Sequence, residues 1–180
     1  MKKLSTLLVM VAMFAISVHA QTFTLKSSDL GGQFSNKQYN NIMGYTGENQ
    51  SPALSWENAP AGTKAFAVTM YDFDAPTGSG FWHWVVYNIP ADVKELKAGA
   101  GNPAKHFLPA GAVQGVTDFG QPGYGGPAPT PGLPHMYLIT VYALKSPLTL
   151  DKGATAAYVG FNLNMTMLGK ASVIAYAQHP

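Results

Sequence analysis

The sequence predicts a mainly β protein, an antiparallel β-sandwich of Greek-key type with small helical additions towards the C-terminus. Three observations carry that prediction. Short apolar runs at Ala65–Tyr71, Trp82–Ile89 and Met136–Leu144 are rich in β-branched and aromatic residues. Turn signals stand between the runs, the densest at Gly120–Pro134, where five prolines and five glycines in fifteen residues exclude regular helix and central strand. Only one stretch, Ala154–Leu168, has helix formers at suitable spacing, and it comes late.

The chain opens with Lys2 and Lys3, an apolar run from Leu4 to Val18, and small residues ending at Ala20. That order is expected of a signal peptide cleaved after Ala20, giving a periplasmic or secreted protein. The apolar run is shorter than the ~20 residues of a spanning helix, and no basic flank follows it. The remainder, 21–180, suits one domain with a single core, and no second apolar span follows. Cysteine is absent, which excludes disulfides, thiolate catalysis and Cys-type zinc sites. The formal charge of +2 includes Lys2 and Lys3; without them nine lysines face nine acids, and there is no arginine. A neutral surface without arginine argues against nucleic acid, which needs a basic footprint, and points to a small partner.

Phe23–Ser27 alternates and reads as a first strand. Gly31–Gln50 is polar and rich in Asn and Gly, hence loop. After the turn Ala59-Pro60-Ala61-Gly62, the run Ala65–Tyr71 carries apolar bulk on both faces, as a central strand covered twice would. In Trp82–Ile89 a period of two sets His83 on the side of Val85 and Tyr87. Asp92–Pro109 is a polar excursion and Ala112–Asp118 a short strand. In the strand at Met136–Leu144, His135, Tyr137 and Ile139 share a face. The helix over Ala154–Leu168 is weakened by Gly160 and two asparagines, and a strand at Ala171–Ala177 closes the domain.

Chemistry concentrates in two segments, Tyr71–Pro90 and Pro122–Tyr142. Asp72 and Asp74 sit two residues apart on an extended chain, beside a Pro-Gly turn, and the spacing is not that of an EF-hand. His83 and His135 lie in the two most apolar, turn-framed segments, whereas His106 and His179 have no such context. Gly123-Tyr124-Gly125-Gly126 matches neither a P-loop nor a dinucleotide fingerprint. It reads equally as a tight irregular loop or as a nest of backbone N–H groups aimed at an anion. Gly78-Ser79-Gly80 lacks the spacing of a nucleophile elbow. Asp and His side chains are good ligands for a divalent metal, so a metal-dependent hydrolase is the best enzymatic alternative.

Asp-x-Asp-Ala-Pro (72–76), Trp-His-Trp (82–84), Gly-Tyr-Gly-Gly-Pro (123–127) and His-x-Tyr (135–137) occur in this order. Together they resemble the phosphatidylethanolamine-binding protein family, in its bacterial, Raf-kinase-inhibitor-like branch, from about Ser51 through Leu144. The resemblance implies a non-catalytic, modulatory β-sandwich with a small pocket for phosphate, a phosphorylated head group of a phospholipid, or a similar anion. It implies that Asp72, Asp74, His83, Gly126, Pro127, His135 and Tyr137 line or support that pocket, with no cofactor. Relatives of this branch are often homodimers, and some members of the family inhibit kinases or proteases, so an interaction module whose pocket docks a partner loop is a further alternative. The resemblance also points to a cis peptide at Ala75-Pro76. Phe73 stands where the family usually has proline, Met136 where arginine is common, and Thr130 interrupts a proline run. Without that arginine an anion would be held by imidazole and backbone N–H groups and the Tyr137 hydroxyl, with Asp72 orienting one imidazole.

Overall fold

Strands form where apolar side chains can be covered, and the degree of cover sets their order. The computed structural model describes residues 21–151 and 153–179; the expected signal segment lies outside the described residues. Their elements run β1 (Thr24–Lys26), β2 (Leu54–Glu57), β3 (Ala65–Asp72), β4 (Phe81–Pro90), β5 (Glu95–Leu96), β6 (Val113–Gln114), β7 (His135–Leu144), α1 (Ala156–Thr166) and β8 (Met167–Ala177). A single 3₁₀ turn at Pro103–Lys105 interrupts the excursion after β5. The strands make two antiparallel sheets, one ordered β1-β2-β5 and one ordered β6-β4-β3-β7-β8. The mainly β, sandwich-like architecture is the one the sequence predicts.

β3 is the middle strand of the larger sheet, and the doubly apolar run of the sequence is explained by what lies on each side. One face (Phe66, Val68, Met70) meets Leu25, Leu54, Trp56 and Leu96 of the small sheet. The opposite face (Ala65, Ala67), with Val85 and Tyr87, packs under Val159 and Leu163 of α1. Burying large side chains stabilises each by about 1.5–3 kcal/mol, so the two-sided cover fixes β3 at the centre. The helix leaves part of that face open. Phe73, Ile174 and Tyr176, and on the helix itself Tyr158, Phe161 and Met165, remain exposed.

Three segments differ from expectation by more than one residue. The helix occupies Ala156–Thr166, not Ala154–Leu168, and the last strand starts at Met167, not Ala171. Thr155 caps the start by accepting the Tyr158 N–H. At the other end pairing of Leu144 with Met167 and Ala143 with Gly169 draws these residues into the sheet. Tertiary pairing overrides local helix propensity there. Ala112–Asp118 shrinks to Val113–Gln114 plus a bridge from Val116 to Pro122.

The cis expectation at Ala75-Pro76 is not met: among the described residues no peptide bond is cis. The reversal is made by other means. The Thr77 N–H donates to the Ala75 carbonyl at 2.7 Å, a three-residue turn that suits the fixed φ of Pro76. Gly78 and Gly80 then take positive φ, at 78° and 67°.

Candidate functional site

Three strands end at one level and deliver the site. Register pairs Asp72 at the end of β3 with Phe81 of β4 on one side and Tyr137 of β7 on the other. His135, at the start of β7, lies beside them. The fourth member depends on an irregularity. Met70 pairs with Trp84 but Tyr71 pairs with Trp82, so β4 has one residue too many, and that residue is His83. A β-bulge sets two successive side chains to the same side. His83 therefore faces the Asp72–Tyr137 side, with Trp84, and not the side of Val85 and Tyr87 as strict alternation predicts.

Asp72 is 2% exposed and organises what surrounds it. Its Oδ2 accepts the Nδ1–H of His135 at 2.8 Å and lies 4.0 Å from Nε2 of His83. Its Oδ1 accepts the Asp74 backbone N–H at 2.9 Å. His83 Nδ1 lies 2.7 Å from the Gly125 carbonyl oxygen; a carbonyl only accepts, so Nδ1 carries the proton. The Gly125 N–H donates back to the His83 carbonyl at 2.9 Å. The His83 ring is wedged among Phe81, Phe119 and Tyr137, with centroids 5.1, 5.4 and 5.1 Å away.

Burial dominates the electrostatics. It lowers the His83 pKa, against the opposing pull of the Gly125 carbonyl and of the Asp72 charge. Burial likewise pushes the Tyr137 phenol far up, reinforced by the charge of Asp72. These groups line a cavity of about 180 Å³, whose apolar walls include Ile42, Met43, Phe81, Phe119 and Pro129. Drug-sized ligands occupy about 300–1,000 Å³, so this cavity suits an ion or a head group. A larger groove of about 630 Å³ runs beside the end of β8. Its wall carries no buried carboxylate or imidazole, so we place the candidate site in the smaller cavity.

The sequence profile of phosphatidylethanolamine-binding protein matches residues 24–178. This chain belongs to the phosphatidylethanolamine-binding protein family. It is 49% identical over 154 residues to the UPF0098 protein YbhB of Escherichia coli, covering 84% of this chain and 97% of that one. It is 43% identical over 167 residues to the E. coli UPF0098 protein YbcL, covering 91% of each. The crystal structure of E. coli YbcL, described as a member of the mammalian PEBP family, superposes with a TM-score of 0.85 at 42% identity, over 88% of this chain and 99% of that one. A homologue from Chlamydia trachomatis, a putative phosphatidylethanolamine-binding protein by its own description, gives 0.73 at 25% identity, over 88% and 98%.

Within this family frame the expected residues fall into two groups. Asp72, His83, His135 and Tyr137 line the cavity. Asp74 does not: it is exposed, and its carboxylate accepts the Met136 backbone N–H at 2.7 Å, pinning the start of β7. Gly126 and Pro127 also stand behind the wall, clamped to the 36–50 loop. The Gly126 N–H donates to Asn49 Oδ1 at 2.7 Å, and the Asn40 N–H to the Pro127 carbonyl at 2.9 Å.

The glycine loop is a strap, not an anion nest. The N–H groups of Tyr124, Gly125 and Gly126 are spent on Gly101 O, His83 O and Asn49 Oδ1. Sequence reasoning missed Ile42, Met43, Asn40 and Asn49, all from a stretch read only as loop; its excess of asparagine was the available signal. Among the described residues no group of three or more His, Cys, Asp or Glu is placed to hold a metal ion.

Proposed function

We propose that this protein binds a small oxyanion, phosphate or a phosphorylated head group, in the Asp72–His83–His135–Tyr137 cavity without chemically converting it. The observation that carries this reading is the pair of imidazoles held around one buried carboxylate at the end of an apolar cavity. Membership of the family supports a binding protein. The hydrolase alternative has no metal-ligand set among the described residues, and Gly78-Ser79-Gly80 sits in an exposed turn. The sequence of the first twenty residues supports a site of action outside the cytoplasm.

Protonation of His83 adds positive charge opposite a bound anion, so the anion raises the His83 pKa by linkage. Affinity for an anion of fixed charge is greatest below the free-state pKa and falls as pH rises through the bound-state value. Because burial lowers the His83 value, that window begins below an ordinary histidine's ~6.5. Calorimetric titration with sulfate at about pH 5.5 and about pH 8, straddling that value, should show tighter binding at the lower pH. His83→Ala and His135→Ala should each weaken it by about tenfold or more, the cost of one charged hydrogen bond. Equal affinity at both pH values, or undiminished binding in both variants, removes the histidines from the site.

A further inference from the structure

We infer that the cavity selects oxyanions that bring their own proton, a ligand class narrower than anions at large; this rests on the binding function proposed above. The reason lies in where the donors of the site already point. His83 gives its Nδ1–H to the Gly125 carbonyl, and His135 gives its Nδ1–H to Asp72. The Asp72 charge also acts on the Tyr137 hydroxyl. Behind the wall, the N–H groups of Tyr124, Gly125 and Gly126 are engaged by Gly101 O, His83 O and Asn49 Oδ1. Each neutral imidazole therefore keeps a lone pair on Nε2, and for neither ring does a protein partner stand within hydrogen-bond reach of that atom among the described residues.

A fully deprotonated oxyanion meets the two imidazole Nε2 atoms lone pair to lone pair, beside the negative charge of Asp72. Two arrangements relieve the conflict: an imidazole takes a proton from solution, or the ligand supplies an O–H. The groups facing His83 are Asp72 on β3, His135 and Tyr137 on β7, and Asp118 in the loop after β6. At His83 burial disfavours the first arrangement at neutral pH. The second leaves the imidazoles neutral and converts Nε2 into a recognition point for a P–O–H group. Inorganic phosphate retains such a group as HPO₄²⁻ well above neutrality. A phosphomonoester loses it near pH ~6, and a phosphodiester or sulfate offers none. Arginine-rich anion sites, by contrast, present donors only and favour the fully ionised ligand.

The test uses the chain 21–180 and four probes: inorganic phosphate, methyl phosphate, dimethyl phosphate and sulfate, each titrated calorimetrically at about pH 5.5 and about pH 8, on either side of the histidine range. The diester stands in for the linkage of a membrane lipid, the other two phosphates for free and monoester sources. At the higher pH phosphate is expected to bind about tenfold or more tighter than sulfate or dimethyl phosphate, the cost of a buried acceptor left facing another acceptor. Methyl phosphate should lose about tenfold between the two pH values as its last proton leaves. Repetition in buffers of different ionisation heat should show net proton uptake with sulfate at the lower pH and none with phosphate at the higher. His83→Gln places an amide NH₂ near the Nε2 position and should bring sulfate at the higher pH to within about threefold of phosphate. Sulfate binding as tightly as phosphate to the unaltered protein at the higher pH overturns the selectivity and leaves the binding function standing. No binding of any probe at either pH overturns both.

Discussion

His83 shows how one residue can be plain in the sequence and yet misplaced by it. A histidine between two tryptophans in an apolar run marks a polar insertion into a core, and its partnership with a distant carbonyl follows from burial. Its facing did not follow, because strict alternation holds only for a strand with no bulge, and nothing in Trp82-His83-Trp84 announces one. Burial has a thermodynamic consequence as well. The folded-state pKa lies below the unfolded one, so the native protein binds fewer protons than the unfolded chain between those values. Stability is then fully present above the unfolded value of ~6.5 and is lost as pH falls towards the folded value, at up to ~1.36 kcal/mol per pH unit for one proton. Urea midpoints without added anion should fall between about pH 7.5 and about pH 5.5 across that range, with a shallower fall in His83→Gln. A midpoint that rises on acidification, or an unchanged slope in the variant, contradicts the assignment of burial as the dominant effect.

At the level of elements the strands were legible and the strap was not. β3, β4 and β7 carry their burial in the pattern of apolar side chains, whereas Gly123–Thr130 has no period, and its shape is set by contacts with residues 36–50 far away in the chain. Gly126 is the tightest of those contacts. A Cβ there would come within 2.0 Å of the Gln38 carbonyl oxygen and 2.7 Å of the Asn40 nitrogen, both backbone atoms with little room to yield. Gly126→Ala should therefore cost about 1–3 kcal/mol or more and weaken anion binding, because the strap that holds His83 must move. Gly31→Ala meets nothing within 4 Å and should leave both properties nearly unchanged. Loss of stability with intact binding would show that the strap supports the fold but not the site.

For the whole molecule, the mainly β sandwich was readable because covered faces leave apolar runs, while the cavity wall was readable only in part. Its polar members sit at strand ends, where a motif can mark them; Ile42, Met43 and Phe119 come from irregular segments, in which an apolar side chain carries no periodic signal. The leader expected before Gln21 belongs to this scale too. Intact mass of protein recovered from its native cells should correspond to a chain starting at Gln21, and a full-length, membrane-associated species would count against export. The clamp between Asn40 and Pro127 and between Asn49 and Gly126 also closes a long stretch of chain. Asn49 and Gly126 stand 77 residues apart with β3 and β4 between them, so closing this loop costs more chain entropy than pairing neighbouring strands. Ligand affinity is thus tied to the closed clamp, and an anion bound beside it stabilises that state over any in which the clamp is open.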